Sequence, residues 1–184
     1  PSTGHHRNVS TVDTPVPCLL QTPDYALAVM RGGGPNIRQA EADRRVEARM
    51  RRQHRLFGEN PVRITAALDE SVLHHHVGGP VVMSDQLRHL VTVVEQHPNT
   101  IDLRVVPFSA GCYNALDGSS FHILDFSSSI LPSLVWQETI SSTDLIDNAM
   151  RVRDNNLAYD QVVEFALDRE GSLAAIKQII EEFE

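Results

Sequence analysis

Apolar residues recur at regular spacings along most of the chain, and those spacings predict its elements. In CLLQTPDYALAVM (18–30), Tyr25, Leu27, Ala28 and Val29 follow Pro23 at helical spacing. Asp24 falls in the first turn, where a carboxylate meets the positive end of the helix dipole. RGGGP (31–35) is a break. NIRQAEADRRVEARMRRQHRLF (36–57) holds neither glycine nor proline, and Val46, Met50 and Phe57 make an apolar stripe, so a second helix is expected. GENP (58–61) ends it, and VRITAALDE (62–70) reads as a strand. SDQLRHLVTVVEQH (84–97) reads as a helix capped by Ser84, with Leu87, Leu90, Val91 and Val94 on its buried face. IDLRVVPF (101–108), SSFHILDF (119–126) and SLVWQET (133–139) read as strands, with Phe121, Ile123 and Leu124 as the apolar positions of the second. Residues 143–168 and 171–183 read as two helices, the last with Leu173, Ile176, Ile179 and Ile180 on one stripe.

Residues 1–14 are polar and aperiodic, so a flexible arm is expected there, followed by a single domain over 15–184. The strand–helix–strand unit implies a parallel crossover, and the short connections after it imply antiparallel neighbours. The expected fold class is α+β, with a mixed sheet of about four strands covered by helices.

Composition narrows the function classes. A chain of 184 residues with 41% hydrophobic content suits one domain with its own core. No apolar run approaches the roughly 20 residues of a membrane span, and PSTGHHRNVS has no apolar signal region. Pro1 is the kind of residue left when an initiator methionine is trimmed, and is expected to be the natural start. Cys18 and Cys112 lie far apart and form no CxxC pair, which points to a reduced, cytoplasmic setting. A formal charge of −8 argues against nucleic-acid binding by the whole molecule. Arg38, Arg44, Arg45, Arg49, Arg51, Arg52 and Arg55 are a local exception. Their plain reading is a solvated helix face with ion pairs to Glu41, Asp43 and Glu47; their functional reading is an anion surface.

Candidate chemistry centres on LHHHVGG (73–79). Three readings compete. On extended backbone, neighbouring side chains alternate faces, so His74 and His76 could converge on a metal with His122 or Glu70 as a third ligand. As acid/base groups, His74, His75 or His76 would pair with Asp69, Glu70 or Glu138, with Tyr113, Trp136 and Gln137 lining an apolar pocket. Phe121 and His122, on the strand before Trp136, complete the candidate ligand-binding set. The plain reading is a polar strand-to-helix connection. On balance neither a metal nor a cofactor is expected. GxxxxGK[ST] is absent and no GxGxxG follows a strand, so the glycine runs read as turns. Ser119 and Ser120 lack a nucleophile elbow, and Cys112 reads as a plain thiol. Gln21 and Thr22 read as a helix entry, with Thr22 or Asp24 as cap.

PVPCLLQTPDYA (15–26), RMRRQHRL (49–56), LDESVLHHHVGGPVVMSDQLRHL (68–90), LRVVPFSAG (103–111), DGSSFHILDF (117–126) and VWQET (135–139) occur in that order. By this string of motifs the chain resembles domain of unknown function 5753 over roughly residues 15–182. The resemblance implies the effector domain of actinobacterial WhiJ-like regulators, where it follows an XRE-type helix-turn-helix and serves sensing or oligomerisation. It also implies a small partner protein encoded nearby, and it carries over no catalytic residue. Two features depart from the family. Residues 1–14 are too short for a helix-turn-helix, and His74, His75 and His76 stand where the family usually carries arginines. The expected function is therefore a stand-alone domain that binds a small molecule or a partner protein, forms a homodimer, and has no DNA or membrane contact of its own. The alternative is a cofactor-free acid/base enzyme of specialised metabolism, such as a cyclase, dehydratase or isomerase, that turns over a small-molecule substrate in the same pocket.

Overall fold

The computed structural model describes residues 7–13, 15–32, 38–113, 115, 118–126, 131–139 and 142–183. Its strands are β1 (Arg7–Asp13), β2 (Val62–Asp69), β3 (Ile101–Val106), β4 (Phe121–Phe126), β5 (Leu134–Glu138) and β6 (Thr143–Ile146). Its α-helices are α1 (Pro23–Gly32), α2 (Gln39–Gln53), α3 (Glu70–His74), α4 (Pro80–Gln96), α5 (Ala149–Phe165) and α6 (Arg169–Glu182). The strands form one sheet in the order β3-β2-β1-β4-β5-β6. β1, β2 and β3 are parallel, and β4, β5 and β6 continue antiparallel from β1.

The class is α+β with a mixed sheet, as the sequence implies, but six strands replace the expected four. One addition comes from the segment expected to be an arm. Residues 7–13 run through the middle of the sheet, and Thr11 is fully buried. Polar RNVSTVD can occupy this place because Val9 and Val12 reach the cores on opposite faces, while the backbone is paired on both sides. Residues 1–6 and 14 of that segment lie outside the described residues. The other addition is β6, cut from the front of the expected 143–168 helix: Asn148 caps α5 by accepting from Arg151 N at 3.1 Å.

Two cores flank the sheet. On one face Tyr25 of α1, Leu87 and Leu90 of α4, and Ile176 and Ile179 of α6 pack on Ile64, Ala66, Leu68, Leu103 and Val105. On the other face α5 brings Val152 to Phe121, Ile123, Val135 and Ile146, and Val162 to Ala67, Val106 and Tyr113. α4 begins five residues earlier than a Ser84 cap implies. Its N-cap is Gly79, Pro80 fills the first turn, and Ser84 is buried inside the helix. Pro80 has the φ the first turn needs, and Met83 already belongs to the core, so the helix is favoured from there. Phe57 does not extend the α2 stripe: it lies beyond the helix end, 40% exposed, with its ring 4.7 Å from that of His97.

Two buried glutamines and one half-buried one tie the N-terminal turn to the helices. Gln86 of α4 accepts from Thr22 N at 2.7 Å and donates to Leu20 O at 2.8 Å. Gln21 donates to Val16 O and accepts from Arg49 Nη1, both at 2.6 Å. Gln53 donates to Gln21 O at 2.6 Å. Thr22 caps α1, its hydroxyl accepting from Tyr25 N at 3.3 Å. LLQTPDYA is thus a structural joint.

The sheet's two edges are finished differently. At β3, Leu167 N donates to Val105 O at 2.8 Å, Ser172 Oγ accepts from Val105 N at 3.0 Å, and Arg169 Nη2 donates to Ile101 O at 2.8 Å. The α5–α6 connection therefore occupies this edge. Among the described residues nothing bonds along the outer edge of β6.

Candidate functional site

The candidate residues separate into two groups. The first gathers where β2 and β3 end, the usual side for ligands in open sheets with parallel strands. Asp69 ends β2 and caps α3: its Oδ1 accepts from Ser71 N at 2.9 Å and from Ser71 Oγ. Its Oδ2 accepts from Tyr113 OH at 2.8 Å. Burial would raise the Asp69 pKa, but the bonds from Ser71 and Tyr113, with the nearby His75, outweigh it and hold the carboxyl below its ordinary value. Burial and the same Asp69 bond push the Tyr113 phenol well above its ordinary value.

Glu70 accepts from Phe108 N at 2.6 Å and so fastens α3 to the segment after β3. Its other oxygen lies 3.8 Å from His74 Nε2, and Glu182 Oε2 of α6 lies 3.8 Å from His74 Nδ1. The His74 ring stacks on Phe108 at 5.7 Å, and Nε2 is buried with no hydrogen-bond partner among the described residues.

The three histidines do not lie on extended backbone. The Asp69 cap turns the chain into the one-turn helix α3, His74 is its last residue, and His75 and His76 are exposed in the turn that follows. His76 packs on Phe183 at 5.1 Å, so His74 and His76 do not converge. Among the described residues no three His, Cys, Asp or Glu side chains are grouped to hold a metal ion. Glu138, on β5 at the far side of the sheet, does not join this group; the His–carboxylate pairing falls to Glu70, with Glu182 added. Glu182 and Phe108 were not visible as site residues in sequence, because they come from α6 and from the turn after β3.

The second group lies on β4–β6. Strand register places His122 opposite Trp136, and Trp136 opposite Leu145, with Leu124 opposite Leu134 in the next row. Their neighbours Phe121, Ile123, Val135 and Ile146 face α5, so alternation turns this row to the opposite face. There Trp136 is 38% and Leu145 57% exposed. Helices α1, α4 and α6 pack over β1–β3 and stop short of this region. The expected pocket of Tyr113, Trp136 and Gln137 therefore does not form. Gln137 and Phe121 point to the α5 face, where Gln137 donates to Ser119 Oγ at 2.8 Å, and Tyr113 sits with Asp69. The period of two in a strand separates Trp136 from Gln137 by a sheet thickness.

Two grooves on the described surface are lined by other residues than these candidates. One, about 570 Å³, runs along α2; the other, about 430 Å³, lies between Pro132–Ser133 and the start of α5. Among the described residues no helix is long and apolar enough to cross a membrane.

Residues 10–178 match the model of a family described as domain of unknown function (DUF5753). Comparison with curated proteins and with solved structures gives no match.

Proposed function

The chain belongs to the DUF5753 family, and we propose that it serves as a binding module whose contact surface is the open face of β4–β6 and whose occupant is a second copy of the chain. The observation that carries this reading is the exposed row of Trp136 and Leu145 beside His122. Aromatic residues half out of water on a rigid sheet are the usual anchors of protein contacts. Trp136 and Leu145 stand out of the sheet into solvent, whereas small-molecule sites enclose their ligand, so a protein surface suits this row better than a metabolite. It also suits self-association: the open row is mostly apolar, with Glu138 as the one carboxylate on its β5 positions, and a two-fold contact needs one patch only. Expected membership of the cytoplasm and kinship to a regulator's effector domain are compatible with this role.

The acid/base reading has less support. Asp69 spends both oxygens on Ser71 and Tyr113, Glu70 spends one on Phe108 N, and the histidine run follows β2 while Trp136 lies three strands away on β5.

Sedimentation equilibrium, with Trp136 emission recorded on the same samples, tests the proposal; Trp136 is the chain's one tryptophan. The wild-type chain is expected to dimerise, with its emission shifting to the blue as concentration rises. Trp136→Glu, at an exposed position, is expected to stay folded and monomeric. A wild-type chain that stays monomeric with unchanged emission overturns the reading, as does a Trp136→Glu variant that still dimerises.

A further inference from the structure

α2 carries a surface that the sheet-face reading does not use. Residues 38–55 hold seven arginines against three carboxylates, a surplus of four positive charges in a chain of net −8, so the remainder carries −12. The helix is anchored on its inner side: Ala42 is buried, Arg49 bonds Gln21, and Gln53 bonds the backbone at Gln21. Arg38, Arg44, Arg45, Arg51, Arg52 and Arg55 are all exposed. Arg45 pairs with Glu41, and Arg51 lies 3.9 Å from Glu47. Among the described residues Arg38, Arg44, Arg52 and Arg55 meet no carboxylate. The groove of about 570 Å³ runs along this side, lined by Arg38, Ala40, Glu41, Arg44, Arg45 and Ala48, with Glu41 already paired to Arg45.

We propose that the outer face of α2 docks an acid-rich helical segment of a partner protein. Glu41, Arg44, Ala48 and Arg51 follow one another at steps of three, four and three, the spacing of a helix–helix seam, and Arg55 stands exposed just past the helix end. The small side chains of Ala40 and Ala48 leave room for a second helix, and the guanidinium groups beside them present forks that match carboxylates in two-pronged pairs. A nucleic-acid backbone fits less well. Glu41 and Glu47 interrupt the arginine rows and would repel a uniform phosphate ladder, and the negative remainder of the chain repels a long polyanion. A short acidic helix can place its own basic residues against those two carboxylates. This surface is separate from the open sheet face and stands whether or not the chain dimerises.

The test is fluorescence anisotropy of the full chain with a labelled, glutamate-rich helical peptide of about 20 residues, long enough to span α2 at ~1.5 Å per residue. Two variants are compared. Arg44→Glu/Arg51→Glu/Arg55→Glu reverses the face with a residue of similar helix propensity. Arg88→Glu/Arg151→Glu/Arg153→Glu makes the same change in net charge at exposed positions on α4 and α5. Circular dichroism confirms that both fold. The wild type is expected to bind the peptide, and to bind it at least about tenfold more weakly as salt rises from about 0.05 to 0.2 M. The α2 variant is expected to lose at least about tenfold in affinity where the control variant keeps wild-type affinity within about threefold. The proposal fails if the wild type does not bind the peptide, if both variants weaken it equally, or if a duplex DNA of about 20 base pairs binds as tightly as the peptide.

Discussion

Gln86 lies fully buried in α4, and both ends of its amide are used: one holds Thr22 N, the other Leu20 O. Gln86→Ala leaves a buried donor and a buried acceptor without partners as well as a cavity, and is expected to cost about 2–4 kcal/mol in denaturant unfolding. Asp69 and Tyr113 give a pH signature. The folded Asp69 titrates below its unfolded value, so its contribution is present above about pH 4 and lost as pH falls through the folded value. Tyr113 is shifted upward, so its contribution is complete below about pH 10 and lost as pH rises beyond it. Tyr113→Phe is therefore expected to cost about 0.5–1.5 kcal/mol on a plateau between roughly pH 5 and 9, narrowing on either side. A loss that does not vary with pH would contradict the pairing. At this scale the sequence was only partly informative. Asp69, Glu70 and His74 sit close together in the chain, and their proximity was legible. Their partners Tyr113, Phe108 and Glu182 arrive through β3 and α6, which no local pattern encodes.

The elements show which signals a sequence carries. α4, α6, β2 and β3 have long apolar periods, and each was legible to within a few residues. β1 was not, because its alternation is made of Asn, Ser, Thr and Val rather than large apolar residues. β6 was not, because four residues ahead of a strong helix merge with it; the Asn148 cap is the mark that separates them. The closure of the β3 edge depends on α6 in the same way. Ser172 Oγ accepts from Val105 N while donating to Leu167 O at 3.3 Å, so one buried hydroxyl joins strand, connection and helix. Ser172→Ala is expected to destabilise the chain by about 1–3 kcal/mol and to speed amide exchange at Val105 more than at residues of β1, as read by hydrogen exchange. Uniform change across the sheet would show that the edge is not held locally.

For the whole molecule, the two proposed surfaces answer to different forces. Dimerisation through β4–β6 brings together two chains of net −8, so added salt screens their repulsion and strengthens the pair. Docking at α2 rests on opposite charges, and added salt weakens it. A salt series thus separates the two contacts without any substitution. The unequal finish of the sheet edges has a further meaning. A sheet that ended openly on both sides could add copies without limit, each new one exposing a fresh edge for the next, and that is the geometry of a fibril. Here the α5–α6 connection seals β3, and among the described residues β6 is the edge left to pair. Any strand-to-strand joining of two copies uses up both free edges at once, so growth stops at two, and the seal at β3 makes the sheet self-limiting.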